Sequence, residues 1–400
     1  MPSLHRSFAF ACSMMSCVAG CGPAMESPDA ATRDAAPSAD ARPPDARVDD
    51  GGAADASAPD GGRAVDAGRP GCSSPLPASD APAVPVDGAE TFASLAAGMS
   101  SGEWVQYDTT ASERYFRNGD GGHDLTWGDT AVWDPASQCV LHYGGGHLVV
   151  PAFSIYCVRT NTWIRGTLPH WLDFEGSVWG YTNHGYDRNA YDPETRRLFF
   201  YRGRRLWVYD LGCDEWSEQE LMAGNQTARD FASWVPGLGV VHGRGENDSI
   251  LFAYDPDTGT QTRLADSQFH SQLHTFGEYS PLHGLLFYGG GDGNQSVYTM
   301  DEAGVSRRVT DSPEPIRTVS SGASGGWVTT DPNTGDFLVL FVGGELRRYD
   351  PVGDAWRLES TSPFESGINR TISATLPEHG VILFATRIGG EAARITLYKP

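Results

Sequence analysis

The sequence predicts an all-β protein made of one repeated unit. The first observation is a motif, an aromatic residue or Thr followed by one residue and Pro, that occurs six times. Its prolines are 58, 43, 45, 51 and 45 residues apart, at Pro135, Pro193, Pro236, Pro281, Pro332 and Pro377. The second observation is a short apolar run that begins four or five residues after each Pro. Four strands per unit at this period are typical of a β-propeller, a ring of four-stranded blades.

A complete unit contains the sequence signals of four strands. The motif marks the first strand, and the apolar run marks the second, because the runs are too short for buried helices and rich in β-branched and aromatic residues. These runs are 140–143, 198–201, 240–241, 285–288, 337–341 and 381–384. The third strand ends in Tyr-Asp, as at Tyr209-Asp210, and the fourth carries Trp163, Trp216 or Trp356. We therefore expect six blades.

The last unit has only three strands of its own. Residues 395–398 form its third strand, and the sequence given ends at Pro400. Residues 103–107 contain Trp104, which is typical of a fourth strand, but belong to no unit. We expect this N-terminal strand to complete the last blade and close the ring, which leaves no free sheet edge. A seventh blade would require a degenerate unit within residues 108–130.

Glycines follow several second strands, as at Gly144-Gly145-Gly146 and Gly289-Gly290-Gly291. Together with the Tyr-Asp-Pro at Tyr254-Asp255-Pro256 and the Trp positions, they resemble the kelch and galactose-oxidase-like propellers. The resemblance covers roughly residues 100–400. It implies the fold and little about activity, because propellers host many unrelated functions.

The N-terminal region predicts export. His5 and Arg6 precede a short apolar stretch, 7–18, and a spanning helix would need about 20 apolar residues. The ending Val18-Ala19-Gly20-Cys21 resembles a bacterial lipobox, which implies lipidation of Cys21; the alternative is an ordinary signal peptide with a chance cysteine. We expect a lipoprotein signal peptide over 1–21, a disordered linker rich in Ala, Pro, Asp and Gly over 22–90, and the propeller over 91–400. The protein is then anchored by lipid alone to the bacterial cell envelope, at the outer membrane or cell surface.

Charge and cysteine content limit the classes of partner and cofactor that we expect. A net charge of −22 argues against nucleic acid as a partner. Cys139 and Cys157 fall on adjacent predicted strands, so they form either a cross-strand disulfide or two buried thiols. No Cys-x-x-Cys pair indicates a metal site, and no cofactor is expected. Nothing in the surface pattern requires an oligomer, so a monomer is expected.

Basic and phenolic residues are predicted to gather at one mouth of the central channel. In a propeller, the segments that enter the first strands and leave the second strands meet there. On these segments the register places a predicted catalytic set, His123, His147, Tyr186 and Arg202, and a predicted substrate-binding set, His184, Arg204, Arg229, Arg244, His274 and Arg370. Arginine binds carboxylate or sulfate in bidentate fashion, and His or Tyr can transfer protons. The alternative is that each residue simply satisfies loop carbonyls.

The set His123, His147, Tyr186 and Arg202 resembles the site of propeller-type polysaccharide lyases, notably ulvan lyases. The resemblance implies that Arg202 and one histidine neutralise a uronate carboxylate, while Tyr186, alone or with the other histidine, removes the C5 proton and protonates the leaving oxygen, without a metal. The chain departs from the pattern of those lyases in two ways. The lyases have seven blades, and this chain offers a second candidate for two of the roles: His142 besides His147, and Arg204 besides Arg202.

The leading hypothesis is therefore a surface-tethered lyase that cleaves an acidic, uronate-containing polysaccharide by β-elimination. The alternative is a non-catalytic propeller that binds glycan or protein at the cell surface. Copper-radical oxidase chemistry ranks lower, because the sequence offers no convincing Tyr-Cys pair with two copper-binding histidines. A sialidase is weaker still, because the repeated Asp-box is absent.

Overall fold

A computed structural model of the chain describes residues 72–78, 80–110, 125, 128–144, 152–171, 187–202, 204–221, 231–244, 250–264, 275–291, 293–316, 326–341, 343–364, 371–389 and 392–400. All of these residues belong to one compact unit, Gly62–Pro400. Apart from one short α-helix and one 3₁₀ turn, the regular elements described are β-strands. None of the described helices is both long and apolar enough to cross a bilayer.

The first described elements precede the blades. Strands β1 (Pro85–Asp87) and β2 (Glu90–Thr91) pair antiparallel, and helix α1 (Phe92–Gly98) follows at once. The Thr91 hydroxyl accepts a hydrogen bond from the Ser94 amide at 3.3 Å, which satisfies one of the unpaired donors of the first helical turn. Strand β3 (Trp104–Thr110) then runs to the outer edge of the last blade.

The remaining strands form six antiparallel sheets, which confirms the predicted six-bladed propeller. Blade one contains β4 (Val132–Asp134), β5 (Cys139–Gly144), β6 (Ala152–Cys157) and β7 (Thr162–Arg165). Blade two contains β8 (Asn189–Asp192), β9 (Arg197–Arg202), β10 (Arg205–Asp210) and β11 (Glu215–Glu220). Blade three contains β12 (Ala232–Val235), β13 (Gly239–Arg244), β14 (Ile250–Asp255) and β15 (Thr260–Arg263).

The second half of the ring repeats this order. Blade four contains β16 (Phe276–Ser280), β17 (Leu285–Gly289), β18 (Val297–Asp301) and β19 (Ser306–Arg308). Blade five contains β20 (Trp327–Thr330), β21 (Phe337–Leu340), β22 (Glu345–Asp350) and β23 (Ala355–Thr361). Blade six contains β24 (Thr371–Leu376), the 3₁₀ turn Pro377–His379, β25 (Val381–Gly389), β26 (Ala392–Tyr398) and β3.

The ring closes as the sequence predicts. The first strands of neighbouring blades contact one another around the whole circle, including β24 with β4. Strand β3 pairs antiparallel with β26, with Trp104 opposite Tyr398 and Thr110 opposite Ala392. The rings of Trp104 and Tyr398 lie 4.4 Å apart, and the Trp104 indole donates to Ser360 in blade five. The N-terminal strand therefore covers the last sheet edge.

The core lies in the seams between blades. Because neighbouring residues of a strand point to opposite faces, each second strand packs against two blades. In β5, Val140 belongs to the cluster shared by blades six and one, whereas Leu141 belongs to the cluster shared by blades one and two. Both side chains are fully buried. Burying a side chain of this size stabilises the fold by about 1.5–3 kcal/mol, so the seams hold the blades together.

The recurring Tyr-Asp is explained by the turn that follows the third strand. The Asp210 carboxylate accepts hydrogen bonds from the amides of Gly212 and Cys213, which fixes a tight turn. The Tyr209 hydroxyl donates at 2.7 Å to Asp214, whose φ is 55°. Blade five repeats this arrangement at Asp350 and Asp354.

The segment before β3 packs along the ring, and we call its described residues, 72–78 and 80–103, the strap. A disulfide joins Cys72 to Cys213 in blade two. Leu76 packs into the seam between blades one and two, and Phe92 into the seam between blades six and one. Between them, the Val84 amide donates to the carbonyl of Arg159 at 2.9 Å. The packed unit thus begins N-terminal to residue 91, inside the stretch that composition predicts as linker.

The second disulfide joins Cys139 in β5 to Cys157 in β6, which face each other in the strand register. Of the two alternatives for this pair, the structure therefore contains the cross-strand bond. The Cys72–Cys213 bond was not predicted, because nothing in the local sequence indicates which distant residue the strap will meet.

Candidate functional site

The topology gives the ring two distinct mouths. We call the end at which the first strands begin the upstream mouth; Thr130 and Asn189 lie near it. The first strands end at the other mouth, where each is followed by the Pro of the repeated motif, and we call this end the proline mouth. Second strands run antiparallel to first strands, so they end at the upstream mouth.

Most of the predicted site lies outside the described residues. This is true of the catalytic residues His123, His147 and Tyr186 and of the binding residues His184, Arg229, His274 and Arg370, as well as of Cys21. Arg244 ends β13 at the upstream mouth, but its side chain is outside the described part of the chain. The assignment of these residues stays a prediction.

Arg202 and Arg204 of blade two are alternatives for the predicted catalytic arginine, and the described structure places them in different environments. Arg202 ends β9, and its guanidinium carbon lies 5.8 Å from the ring centroid of Trp207. Burial raises the pKa of the Tyr143 phenol well above its usual value, and the charge of the nearby Arg202 opposes that shift. Arg204 is 60% exposed, with its Nη2 3.9 Å from the Glu220 carboxylate. Arg202 therefore faces the seam between blades one and two, whereas Arg204 faces solvent.

A buried polar network lies in the same seam. Asn189 accepts a hydrogen bond from the Tyr143 amide and donates one to the Tyr143 carbonyl, each at 3.0 Å. Its amide nitrogen also lies 3.3 Å from Nδ1 of His142, which is 3.3 Å from the carbonyl oxygen of Thr130. Burial lowers the pKa of His142 to about 4. His142 is thus a neutral, fully buried side chain that joins blades one and two.

An axial cavity opens at the proline mouth. It has a volume of about 330 Å³ and is lined by residues of all six blades. Every blade contributes the residue two positions before the motif Pro: Trp133, Tyr191, Trp234, Tyr279, Thr330 and Thr375. Five of the six motif prolines also line it, and these are exposed. The regular prolines therefore mark equivalent places around the axis, as the sequence predicts.

Two tryptophans of the cavity wall are fixed by neighbouring blades. The Trp133 indole donates a hydrogen bond at 2.7 Å to Glu378, which is in the 3₁₀ turn of blade six. Trp234 stacks on Phe199 of blade two, with the ring centroids 5.7 Å apart and the planes 3° from parallel. Both indoles are therefore held in place before any ligand arrives.

Two tyrosines of the wall are fixed by carboxylates. The Tyr191 hydroxyl donates at 2.6 Å to Asp134 of blade one, and the Tyr279 hydroxyl donates to Glu302 of its own blade. Burial and the adjacent carboxylate raise both phenol pKa values well above their usual range. Burial opposes ionisation of Asp134, but hydrogen bonds from Arg196, Ser137 and Tyr191 outweigh it and lower the pKa of that carboxyl. The two phenols are hydrogen-bond donors and not bases.

The charged residues that line the cavity are acidic. Glu278 of blade four and Glu378 of blade six line it, and no Lys, Arg or His is among its described lining residues. No group of three or more His, Cys, Asp or Glu side chains in the described ranges could hold a metal ion. The aromatic-x-Pro motif predicts the register of the blades, and the same residues line the cavity.

Comparison with known proteins assigns no family to the chain. No protein-family model matches it, and no curated protein matches it either. The six-bladed ring is therefore established by its strand topology, and the resemblance to kelch and galactose-oxidase-like propellers stays a prediction.

Proposed function

We propose that this chain is a β-propeller of the cell envelope that binds a glycan at the axial cavity. The observation that carries the proposal is the cavity wall, in which blades one to four each contribute an aromatic residue and blades five and six each contribute a Thr. One side of the cavity is therefore aromatic and the other is hydroxylic.

Such a wall suits a sugar. The C–H face of a pyranose is apolar and packs on indole or phenol rings, while its hydroxyls need hydrogen-bonding partners. Thr330 and Ser233 line the same cavity and carry such groups. The volume of 330 Å³ lies near the lower end of the range for small-molecule sites, about 300–1,000 Å³. We therefore expect the cavity to hold one end of a glycan, with the rest of the chain in solvent.

The titration behaviour of the wall favours binding over chemistry at this mouth. A general base needs a pKa near the working pH and a free proton-accepting atom. Both wall tyrosines have raised pKa values and donate their hydroxyl hydrogen to a carboxylate. The cavity thus holds and orients a ligand.

Location at the envelope is part of the proposal. The N-terminal signal pattern and Cys21 indicate export and lipid anchoring, and the Cys72–Cys213 and Cys139–Cys157 disulfides are typical of an oxidising compartment. We propose that the propeller acts as a monomer.

A glycan titration tests the proposal. The intact protein is titrated calorimetrically with a panel of neutral, amino and uronate oligosaccharides. Trp234→Ala should weaken binding, whereas Trp234→Phe, which keeps a ring on Phe199, should retain most of it. If no oligosaccharide binds, or if Trp234→Ala binds as tightly as the wild type, the axial cavity is not the glycan site.

A second candidate function is the uronate lyase, at the upstream mouth. It is favoured by Arg202, which lies at the upstream end of β9 beside Tyr143 and Trp207. The segments that hold Tyr186 and His147 connect strand ends at this same mouth. An acidic polysaccharide is the partner proposed for it.

In this reaction Arg202 and one histidine would pair with the uronate carboxylate and so acidify the C5 proton. Tyr186 would accept that proton. The C5 electron pair would form the C4–C5 double bond as the C4–O bond breaks, and the proton would pass to the leaving oxygen. Tyr186 serves as base and then as acid in this scheme, as the lyase resemblance implies.

The lyase is tested by the absorbance of the unsaturated uronate product on ulvan, glucuronan and alginate. Tyr186→Phe and Arg202→Gln should abolish the signal, while Arg204→Gln, which changes an exposed arginine two residues away, should keep it. A flat trace on all three substrates would leave the binding function alone.

A further inference from the structure

We propose that the axial cavity selects an organic cation, an ammonium group carried on a sugar or aliphatic body. This inference depends on the proposed function only in taking the axial cavity as a ligand site. It adds the charge of the ligand, which the aromatic wall alone does not specify.

Hydrogen bonding enriches the wall aromatics in electrons. Trp133 donates its indole hydrogen to Glu378, Tyr191 its hydroxyl hydrogen to Asp134, and Tyr279 its hydroxyl hydrogen to Glu302. A carboxylate that accepts from a ring N–H or O–H pushes electron density into that ring, because linked hydrogen bonds polarise one another. Trp133 and Tyr279 therefore carry more negative π faces than free Trp or Tyr would, whereas the Arg196 guanidinium beside Asp134 offsets this effect at Tyr191. Negative ring faces attract cations.

The carboxylates of the cavity act in the same direction. Glu278 and Glu378 line it from blades four and six, so the charged side chains that a cation meets among the described lining residues are carboxylates. Asp134 is compensated, because the Arg196 guanidinium lies 2.6 Å from it, but Arg196 is not one of the cavity's lining residues. A uronate would meet the Glu378 carboxylate, and the described lining residues include no Lys, Arg or His to bind its own carboxylate.

The two mouths thus have opposite charge preferences. The upstream mouth has Arg202 at its described edge and is the mouth proposed for an acidic glycan. The proline mouth has a carboxylate-backed aromatic wall. Since a binding site rejects a ligand most effectively by placing like charge against it, the axial cavity should discriminate against anionic sugars.

Two sources could supply the cation, an amino sugar or a quaternary ammonium head group. The experiment uses glucosamine and choline as probes, each with an uncharged counterpart, glucose and 3,3-dimethylbutan-1-ol, and glucuronate as the anion. Affinities are measured calorimetrically on the intact protein at low ionic strength. Each cation should bind about two- to fivefold more tightly than its uncharged counterpart. Glucuronate should bind more weakly than glucose, and salt should weaken the cations alone.

Which pair shows the larger ratio identifies the source of the cation. A larger ratio for glucosamine over glucose indicates an amino sugar, and a larger ratio for choline over dimethylbutanol indicates a quaternary ammonium group.

Two acid-to-amide variants test the physical cause. Glu378→Gln removes a lining charge, and Glu302→Gln replaces the carboxylate behind Tyr279 with a neutral amide without changing a lining residue. Each variant should reduce the ratio of cation affinity to uncharged-counterpart affinity by up to about twofold. Glu302→Gln should also leave glucose and dimethylbutanol affinity near wild type, because Glu302 does not line the cavity. The matched control Glu314→Gln, an exposed residue of blade four, should change neither.

The outcomes separate the two proposals. If charged and uncharged partners bind equally, the cation inference fails while the ligand site stands. If none of the five probes binds and no oligosaccharide of the glycan panel binds either, both proposals fail. If Glu302→Gln leaves the cation preference intact while Glu378→Gln abolishes it, polarisation of the rings is not the cause.

Discussion

Loss of the Cys72–Cys213 disulfide should destabilise the propeller more than loss of the other described disulfide, Cys139–Cys157. The bond closes a loop with a sequence separation of 141 residues, whereas Cys139–Cys157 closes one of 18. Loop-closure entropy in the unfolded chain then corresponds to about 5 kcal/mol for the long loop and about 3 kcal/mol for the short one. At this chain length 1 kcal/mol shifts the Tm by about 2 °C, so Cys72→Ser/Cys213→Ser should melt about 10 °C lower.

The assay is thermal unfolding followed by near-ultraviolet circular dichroism, with Cys139→Ala/Cys157→Ala as the comparison. The strap also packs through Leu76 and Phe92, so the ring should still fold without its disulfide. The reasoning would be refuted if Cys72→Ser/Cys213→Ser melted within about 2 °C of the wild type while the short-loop variant melted well below it.

Three further predictions concern the ring itself. Burial lowers the pKa of His142 to about 4 and of His242 to about 3, so below pH 6.5 the unfolded chain takes up protons that the folded chain does not. Stability should fall as the pH drops from about 6.5, by about 5 kcal/mol at pH 4.5, as measured by denaturant unfolding; His242→Phe should remove about half of that loss. Trp104→Ala should cost about 3 kcal/mol and speed amide hydrogen exchange in β26, and unchanged exchange there would contradict closure by β3. Arg348→Met should cost about 3–5 kcal/mol in urea unfolding, because it leaves the buried Asp331 carboxylate without its cation; a loss below 1 kcal/mol would contradict this.

The ring was predictable from sequence because its repeat is local. A Pro two residues after an aromatic residue or Thr ends each first strand, and this spacing can be read without knowledge of any long-range contact. Closure by the strand of Trp104 was predictable for a related reason. The last unit has three strands of its own, and the strand of Trp104 belongs to no unit.

The strap was not predictable in the same way. Its composition, rich in Ala, Pro and Gly, is typical of a disordered segment. The strap is nevertheless docked by a few apolar residues, such as Leu76 and Val86, and by the disulfide at Cys72. The partners of these residues lie in distant blades. Composition averages over a segment, whereas docking depends on single residues.

The axial cavity was not predictable from the repeated motif, because the motif shows where each residue lies in its blade and not what it faces. Trp133 and Tyr191 mark equivalent positions in two blades, and this spacing alone does not show that they line a cavity. The hydrogen bonds from their rings to Glu378 and Asp134 join different blades, so no sequence spacing reports them.

A crystal structure of the protein soaked with glucosamine or choline, whichever binds more tightly, is the most direct test. The ligand nitrogen should lie in the axial cavity, within about 6 Å of the ring centroid of Trp133, Tyr191, Trp234 or Tyr279. A ligand found only at the upstream mouth, or in the axial cavity with its nitrogen pointing to solvent, would contradict the proposed site and its selectivity.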